Sequence, residues 1–249
     1  MTLKEQASDS TPLKSLAFFK GLTLFINLPD EEVMRFANAA QIKNYKKGHF
    51  LYRENDPACF FHIISTGWIK LSHTTAEGEE MTLTMLTRDG ITGVKALFEQ
   101  EHFTMNAQVI EDAEILSIPL MLLKEQLRAD NQLALNMLSY MVQQQRRYEL
   151  QQEQNFLYSA PQRIGCFLLG LCPTLEQKDG VVINLPYDKV LIASALGMKA
   201  PTFSRALNIL REETIIHITG TSVTIDSMER LLTFVGGCYS HHHQCKNLS

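Results

Sequence analysis

The sequence predicts an α+β protein with three successive parts: a β-roll of short strands, one long helix, and a C-terminal domain in which two helices precede a β-hairpin. Short apolar runs alternate with turn residues from 42 to 118, which is typical of antiparallel strands. No Gly or Pro interrupts the chain from Leu120 to Ala160, which favours a helix. After Pro161 helical periodicity returns, followed by two β-branched runs. The expected boundaries are 1–122 for the β-roll with flanking helices, 123–160 for the long helix and hinge, 161–237 for the C-terminal domain and 238–249 for a disordered tail.

Composition favours a folded, soluble, cytoplasmic protein. Of the 249 residues 45% are hydrophobic, and the formal net charge is −4. The longest strongly apolar stretch, Ile164 to Cys172, is far shorter than the roughly 20 residues that span a bilayer, and the polar N-terminus lacks the features of a secretory signal. The five cysteines are odd in number and too sparse for a disulfide framework, which fits a reducing compartment. We therefore expect no membrane partner.

The first part predicts several short strands with a helix before them. Acidic residues in the run Pro29 to Glu32 precede an amphipathic period of Val33, Phe36 and Ala37, which is typical of a helix start. The strands that follow are expected to be antiparallel, because turn residues separate them at short intervals. The separating residues are Gly48, Pro57, Gly67, Gly78 and Gly90.

The long helix carries a stripe of residues spaced three or four apart, apolar at first and polar later. Two interpretations stay open for this stripe. It packs against the chain's own β-roll, or it forms the seam of a parallel dimer, as in a short coiled coil. The predicted dimer interface consists of Leu133, Met137, Tyr140, Met141, Gln144, Tyr148 and Gln151.

The segment Tyr187 to Leu210 predicts two helices with a tight turn at Gly197, which is the helix-turn-helix layout. The β-branched runs around Thr219 to Ser222 predict a hairpin, or wing, directly afterwards. The first helix is expected to bury Val190, Leu191, Ala193 and Leu196, and the second to bury Phe203, Leu207 and Leu210.

Basic residues are concentrated in this segment, although the protein as a whole is acidic. Lys189, Lys199, Arg205 and Arg211 lie between Asp188 and Glu212 with no acidic residue among them, which suits the phosphates of a nucleic acid. The alternative is an ordinary solvated helix surface. Arg205 is the best candidate for reading a base, because a guanidinium can bond both acceptors of guanine. The expected DNA-binding residues are Lys199, Ala200, Thr202, Ser204, Arg205 and Asn208.

Two segments resemble the CRP/FNR superfamily of bacterial transcription regulators: KKGHFLYRENDPACFFHIISTGWIKL and LPYDKVLIASALGMKAPTFSRALNILREETIIHI. The first is similar to the cyclic-nucleotide-binding-type β-roll of that family, and the second to its winged helix-turn-helix. The T-F-S-R sequence of the second resembles the Dnr-type branch of nitric oxide-responsive regulators. The resemblance implies a homodimer that binds an inverted repeat in double-stranded DNA. For an activator it also implies contact with RNA polymerase, through the loop Pro173 to Asp179.

One residue departs from the family pattern in the second of these helices. FNR-like recognition helices resemble E-x-x-S-R, and Ser204 and Arg205 match, but Pro201 stands at the glutamate position. Proline is tolerated in the first helical turn, but it cannot accept a hydrogen bond from cytosine. We therefore expect a relaxed or altered base preference at that position of the half-site.

The residues argue against two effectors known in the family. Relatives that bind cyclic AMP hold it with a glutamate and an Arg-Ser pair. The resemblance implies that Val94 stands at the glutamate position here, and that Phe103 and Thr104 stand at the Arg-Ser positions. A buried phosphate would therefore lack the arginine that binds it in a bidentate manner. Lys95 is the remaining candidate for an anion, and Tyr148 replaces a small hydroxyl residue that reaches adenine in the relatives that bind cyclic AMP. The predicted effector pocket is lined by Val94, Lys95, Phe103, Thr104 and Tyr148. An iron-sulfur cluster needs cysteines near the N-terminus, where the first 58 residues contain none.

Haem remains a candidate cofactor, because Dnr-type relatives bind it through an axial ligand. His49, His62, His73 and His102 fall in the β-roll, and no spacing singles one out. Cys166 and Cys172 are expected to pack in the core. The tail from Cys238 to Cys245 contains zinc-ligand residue types, but a disordered tail is the preferred interpretation, and we predict no metal site.

No enzyme motif is present among the P-loop, GxSxG, HExxH and GxGxxG patterns, so we expect a protein that is not an enzyme. The function predicted is a homodimeric, sequence-specific DNA-binding transcription regulator, controlled by an effector in its β-roll. Two alternatives are a ligand-binding module that acts on a protein partner, and a DNA-binding regulator that needs no effector.

Overall fold

The computed structural model describes residues 16–236, with gaps at 76, 79, 99–101, 173–178, 186–188, 214 and 221. The chain divides into two compact units. The first consists of Met1–Ile69 and Leu86–Met141, and the second of Lys70–Met85 and Val142–Ser249. None of the described helices is both long enough and apolar enough to cross a membrane.

Helices and strands follow the order predicted from the sequence, which confirms the α+β fold class. The helices are α1 Leu16–Lys20, α2 Asp30–Ala39, α3 Leu120–Ala129, α4 Asn131–Leu157, α5 Ala160–Leu171, α6 Lys189–Ala195, α7 Ala200–Glu212 and α8 Met228–Val235. The strands are β1 Gln41–Tyr45, β2 Phe50–Tyr52, β3 Phe60–Thr74, β4 Glu80–Leu86, β5 Ile91–Thr92, β6 Asn106–Pro119, β7 Val181–Asn184, β8 Ile216–Thr219 and β9 Ser222–Ile225.

Strand β6 is the central strand of the β-roll sheet, because it pairs with β1, β2 and β3. Among the described residues this sheet has six strands in the order β1-β6-β3-β4, with β2 paired to β6 and β5 paired to β3. Gly67 allows β3 and β6 to approach closely, because a Cβ atom there would lie 2.5 Å from the Asp112 carbonyl oxygen. Its φ of +87° also favours glycine. The predicted turn residue therefore lies inside the long strand β3 and serves a close contact.

The helix expected near Pro29 is confirmed as α2, which buries Val33, Phe36 and Ala37 as predicted. Its three acidic first-turn residues lie at the positive end of the helix dipole. Phe36 and Phe25 are in ring contact at 5.0 Å, and both are fully buried. The helices before the sheet thus supply an aromatic part of the core of the first unit.

The single long helix predicted from Leu120 to Ala160 is wrong, because the chain breaks it at Asp130. This residue is extended (φ −122°, ψ 115°) and separates α3 from α4. Its carboxylate accepts a hydrogen bond from the Leu133 N–H (2.9 Å), which is how aspartate caps the start of a helix. Asp130 and Asn131 favour caps and turns over helix interiors, which explains the break without Gly or Pro.

The second unit contains a three-stranded antiparallel sheet, β7-β9-β8, surrounded by α5 to α8. The predicted wing is confirmed as the β8–β9 hairpin, and β7 pairs with the other edge of β9. Fully buried side chains of this core include Leu168, Ile192, Leu210 and Leu231. Cys166 and Cys172 are both buried in this core, as expected. Cys172 is a thiol, whereas Cys166 is disulfide-bonded, which the sequence analysis did not predict.

The hairpin Lys70–Met85 also belongs to the second unit, and Met85 packs against its core. The Lys70 ammonium, only 5% exposed, forms an ion pair with Glu80 at 2.6 Å. Ser72 donates a second hydrogen bond to the same carboxylate at 2.6 Å. Burial alone would raise the pKa of Glu80, but these two hydrogen bonds lower it below its usual value.

Candidate nucleic-acid interface

A tight turn at Gly197 joins α6 to α7. Gly197 is left-handed (φ +62°), and its N–H donates to the Ser194 carbonyl at 2.9 Å. The N–H of Met198 donates to the Ala193 carbonyl at 2.9 Å. These two hydrogen bonds form a Schellman motif, in which glycine ends a helix without steric strain. Met198 also packs against the core, and this contact together with the turn fixes the direction in which α7 begins.

The prediction for the buried faces of these two helices is confirmed for α7 and partly wrong for α6. Helix α7 buries Phe203, Ala206, Leu207 and Leu210, which include the three residues predicted. In α6 the side chain of Val190 is 60% exposed, whereas Ile192 is fully buried. The first two residues of α6, Lys189 and Val190, therefore face solvent, and the buried residues begin later than the periodicity indicated. Leu191 and Leu196 are half-buried, and Ala193 is buried.

The opposite face of α7 is polar and basic. Lys199 precedes the helix in extended conformation, and Pro201 lies within its first turn. Exposed side chains on this face are Lys199, Pro201, Ser204, Arg205 and Asn208, and Ala200 and Thr202 are half-buried. The six residues predicted from the sequence to bind DNA are thus brought together on α7 and at its N-cap. Lys189 and Arg211 are exposed as well.

Arg205 lies back over the first turn of α7. Its Nε donates a hydrogen bond of 3.3 Å to the carbonyl oxygen of Pro201, one turn earlier. The bond uses Nε, whereas a bidentate contact to guanine O6 and N7 can use the two Nη groups. The guanidinium is therefore placed at the N-terminal end of the helix, the part that a recognition helix turns toward base edges.

Side chains from α4 and α5 hold the C-terminus of α6, where carbonyl groups lack helical partners. Gln151 on α4 donates to the Ala195 carbonyl at 3.0 Å. Arg163 on α5 donates to the Leu196 carbonyl at 3.1 Å and to the Asn155 side chain at 2.9 Å. Gln151 was predicted for the dimer interface, and the structure places it against the helix-turn-helix of its own chain. These hydrogen bonds connect the C-terminal part of α4 to the end of α6, which precedes the turn before α7.

The first residues of the predicted dimer interface are buried inside the first unit. Leu133 and Met137 have almost no exposed surface. Tyr140 donates a hydrogen bond to the Ile91 carbonyl at 3.0 Å and is 8% exposed. For these three residues the structure supports the alternative of packing against the chain's own β-roll. Met141, Gln144 and Tyr148 are half-buried on the same helix.

Another face of α4 presents apolar side chains to solvent. Leu135, Leu138 and Val142 are 56%, 63% and 66% exposed. Their spacing of three and then four residues places them along one stripe of the helix, as in the a and d positions of a coiled coil. This exposed stripe lies beside the buried stripe of Leu133, Met137 and Tyr140 on the same helix.

Phe103, one of the predicted effector-pocket residues, stacks on Tyr52 at a place where an anion would need a cation. The rings of Tyr52 and Phe103 are parallel within 11° at a centroid distance of 3.6 Å, and both residues are buried. The Tyr52 hydroxyl is hydrogen-bonded to Thr92, and burial raises the pKa of Tyr52 to about 12. This side chain therefore stays neutral. Aromatic rings in this position favour an apolar neighbour over a phosphate.

The other predicted effector residues lie around this stack or in the second unit. Val94 is buried at the start of a short 3-10 turn, Val94–Leu97, in which Lys95 is half-buried. Thr104 is exposed beside Phe103. Tyr148 is half-buried on α4 in the second unit.

Sequence reasoning missed the polar residues that are buried beside Tyr52. On β3, the Nδ1 atom of His62 is hydrogen-bonded to the Ser117 hydroxyl at 2.9 Å, and the His62 ring stacks on the Tyr52 ring. Burial lowers the pKa of His62 to about 4, so its ring is neutral near pH 7. We name Tyr52, His62, Thr92 and Ser117 the β-roll polar cluster. Its members come from four different strands, and no local pattern marks them.

The four histidines named as possible haem ligands lie in different surroundings. His49 and His102 are exposed and His73 is half-buried, and His62 is engaged by Ser117 and Tyr52 within the core. No group of three or more His, Cys, Asp or Glu in the described part of the chain could hold a metal ion. The cysteine and histidine residues of the tail lie outside the described residues.

A sheet domain followed by a basic helix-turn-helix with a wing defines a DNA-binding transcription regulator with a ligand-binding domain. The comparisons agree. Residues 42–130 match the family "Cyclic nucleotide-binding domain", and residues 162–234 match the "Crp-like helix-turn-helix domain". The chain belongs to the CRP/FNR family of transcription regulators.

Individual relatives share about a quarter of their residues with this chain. The global nitrogen regulator of Synechococcus elongatus is 27% identical over 189 residues, which cover 74% of this chain and 85% of that protein. The transcriptional activator protein anr of Pseudomonas aeruginosa is 27% identical over 200 residues, which cover 77% and 79%. These relatives are regulators, in agreement with the prediction that the chain is not an enzyme.

A crystal structure of a candidate cyclic nucleotide-binding protein from Ruegeria pomeroyi has the same fold. It superimposes with a TM-score of 0.71 at 25% identity and covers 89% of this chain and 97% of that one. The agreement extends over both the sheet domain and the helix-turn-helix.

Proposed function

We propose that this chain is a homodimeric regulator that recognises an inverted repeat in double-stranded DNA through α7. The observation that carries the proposal is the division of α7 into a fully buried face and an exposed face with Arg205, presented by the turn at Gly197. A recognition helix needs this division, because one face is held by the core while the other enters the major groove. The proposed contacts are Lys199, Ala200, Thr202, Ser204, Arg205 and Asn208.

These side chains suit different parts of DNA. Arg205 is assigned to a guanine, whose O6 and N7 accept from a guanidinium, and Asn208 to a base edge of the same half-site. Lys199, Thr202 and Ser204 are assigned to phosphates or nearby base edges, which fix the register of the helix on the duplex. Two copies of α7 separated by about 34 Å would contact successive major grooves on one side of the DNA.

The dimer is proposed to form along α4. The exposed stripe of Leu135, Leu138 and Val142 supplies the apolar surface, and the half-buried Met141, Gln144 and Tyr148 flank it. A parallel pairing of α4 would bring this stripe together in the manner of a short coiled coil. Leu133, Met137 and Tyr140 would support the same helix from inside their own chain.

Effector control is proposed to act through the link between α4 and α6. An effector that prefers one arrangement of the dimer shifts the population toward it, and only its differential affinity counts. The hydrogen bond from Gln151 to the Ala195 carbonyl would pass a movement of α4 to the turn before α7. DNA affinity would respond because two recognition helices must fit two grooves at once.

The effector is proposed to be something other than cyclic AMP. The predicted effector-pocket residue Phe103 is stacked on Tyr52, and both rings are buried. The phosphate of a cyclic nucleotide would need a bidentate cation there instead. Membership of the Dnr-type branch, with haem as nitric oxide sensor, stays a hypothesis that rests on the resemblance of the T-F-S-R sequence. A cytoplasmic location and contact with RNA polymerase are proposed on the same basis. Residues 173–178 of the proposed polymerase loop lie outside the described residues.

Selection from a random duplex pool tests the proposal. The full-length protein is incubated anaerobically with the pool, with and without haem and nitric oxide, and the bound duplexes are sequenced. We expect an enriched palindrome with a guanine in each half-site. Enrichment only with haem and nitric oxide would support the Dnr-type sensor, and enrichment without them would support another effector or none.

A pair of arginine variants separates specific recognition from charge. Arg205→Ala should lower affinity for the enriched duplex by roughly 10-fold to 100-fold and relax the guanine preference. Arg211→Ala removes the same charge from the C-terminal end of α7 and should lower affinity only slightly and equally for all sequences. Equal effects of the two variants, or no enrichment under any condition, would contradict the proposed function.

A further inference from the structure

The exposed face of α7 lacks an acidic group near its N-terminus. Pro201 occupies the exposed first turn, and the first acidic residue of α7 is Glu212, in its last turn. Readout of cytosine requires a side-chain acceptor for its N4 amino group, and the Pro201 side chain has none. Its ring can offer a base edge only an apolar surface. In the major groove, the apolar feature of a base is the C5-methyl group of thymine.

We propose that Pro201 is a specificity-determining residue that contacts the C5-methyl group of a thymine in the DNA half-site. The inference rests on the proposed function of α7 as the recognition helix. Proline suits this role because its ring is rigid and carries no donor whose hydrogen bond the DNA would have to satisfy. The base at this position is therefore chosen by its methyl group.

The position of this thymine follows from the bond between Arg205 and Pro201. Arg205 lies one helical turn after Pro201 on the same face, and its Nε donates to the Pro201 carbonyl at 3.3 Å. Four residues of α-helix rise about 6 Å, and neighbouring bases of one strand are about 3.4 Å apart along the duplex. The thymine contacted by Pro201 therefore lies within about two base pairs of the guanine contacted by Arg205.

Replacement of thymine by uracil tests the contact, because it removes the methyl group and leaves every hydrogen-bonding group unchanged. Each thymine of the enriched duplex is replaced in turn, and affinity for the full-length protein is measured by fluorescence anisotropy. One replacement close to the Arg205 guanine should lower affinity about threefold to fivefold, which is the effect of one buried methyl group. Other replacements should have smaller effects.

Variants at position 201 assign the effect to proline. Pro201→Ser should bind the thymine and uracil duplexes equally at that position. Pro201→Glu should change the preferred base there to cytosine, because a carboxylate accepts from the N4 amino group. Ile209→Ala, which removes an exposed apolar side chain farther along α7, is the matched control and should keep the wild-type dependence on the methyl group. Circular dichroism verifies that each variant folds.

Three outcomes would overturn the inference, and they are distinguishable. If uracil is tolerated at every position within two base pairs of the guanine, Pro201 contacts no methyl group. If the methyl dependence persists in Pro201→Ser, another residue makes the contact. If the pool shows no enrichment at all, the proposed function fails and this inference fails with it.

Discussion

The proposed recognition helix α7 and the β-roll polar cluster use polar side chains in opposite ways. On α7 the polar residues Ser204, Arg205 and Asn208 are exposed, and the residues that hold the helix are apolar and buried. In the β-roll, His62 and Tyr52 are buried and bonded to hydroxyl groups inside the core. Polar groups of the first kind are available to a partner, whereas those of the second kind are satisfied by the fold.

This difference separates binding from stability in the two regions. Substitutions on the exposed face of α7 should change DNA binding while the free energy of unfolding stays nearly constant. Substitutions in the β-roll polar cluster should lower the free energy of unfolding, because a buried polar group that loses its partner is desolvated without a compensating hydrogen bond. The following predictions test that separation, beginning with the largest expected effect.

Phe203→Ala should produce the largest loss of stability in the second unit. Phe203 is 1% exposed in the centre of the core, and truncation of a buried Phe to Ala typically costs about 3–5 kcal/mol. Native-state hydrogen exchange of the amides of α7 measures this loss. The matched control on the same helix is Ile209→Ala, whose side chain is 42% exposed and should cost less than about 1 kcal/mol. Equal losses would contradict the assignment of the two faces.

The pH dependence of the first unit should reveal His62. Burial lowers its pKa to about 4, whereas the unfolded chain binds the proton near the usual value of 6.5. Between these values the unfolded state binds more protons, so stability rises with pH. The contribution is fully present above pH 6.5 and is lost as the pH falls toward 4. The total change amounts to roughly 3 kcal/mol.

Fluorescence of Trp68 measures this dependence selectively. Trp68 is the single tryptophan of the chain and belongs to the first unit. Urea unfolding at several pH values between 4.5 and 7 should show a shallower pH dependence for His62→Gln than for the wild type. His49→Gln removes an exposed histidine and should keep the wild-type slope. A wild-type slope in His62→Gln would show that other groups cause the acid sensitivity.

The buried and exposed faces of α7 could be predicted, because the residues that determine them are close together in the sequence. Gly197 marks the turn, and the spacing of Phe203, Leu207 and Leu210 marks the buried face, so the remaining positions of α7 had to be exposed. The β-roll polar cluster was not predictable, because Tyr52, His62 and their partners are distant in sequence. Only the pairing of strands brings them together.

Two errors on the helices have the same physical origin. Val190 fits an apolar period, but the fold leaves its side chain exposed at the start of α6, and periodicity cannot show what covers a helix. On α4 the apolar residues occupy two neighbouring stripes, and only the packing of Leu133 and Tyr140 shows which stripe faces inward. The residues of the exposed stripe could have been found by the same periodicity once the inward stripe was known.

Gly197→Ala should have an intermediate effect on stability. A left-handed conformation costs a non-glycine residue about 1–2 kcal/mol, and the added Cβ would lie 3.3 Å from the Asn155 side chain. The loss should appear in hydrogen exchange of α6 and α7. DNA affinity should fall with it, because the turn sets the direction of the recognition helix. Gly197→Asn is the control and should cost less, since asparagine tolerates this conformation better. Equal effects of the two variants would attribute the loss to side-chain contact instead of backbone conformation.

Asp130→Ala should have the smallest effect, and it concerns the helix break that the sequence analysis missed. The Asp130 carboxylate accepts from the Leu133 N–H, and its hydrogen bond with Glu32 lowers the pKa of Asp130 and raises that of Glu32. Loss of a helix cap costs about 1 kcal/mol, which Trp68 fluorescence should detect during urea unfolding. Asp130→Asn keeps a capping oxygen and should restore most of this stability. If both variants are as stable as the wild type, the break between α3 and α4 depends on the packing of the two helices alone, and the cap contributes nothing to the position of α4.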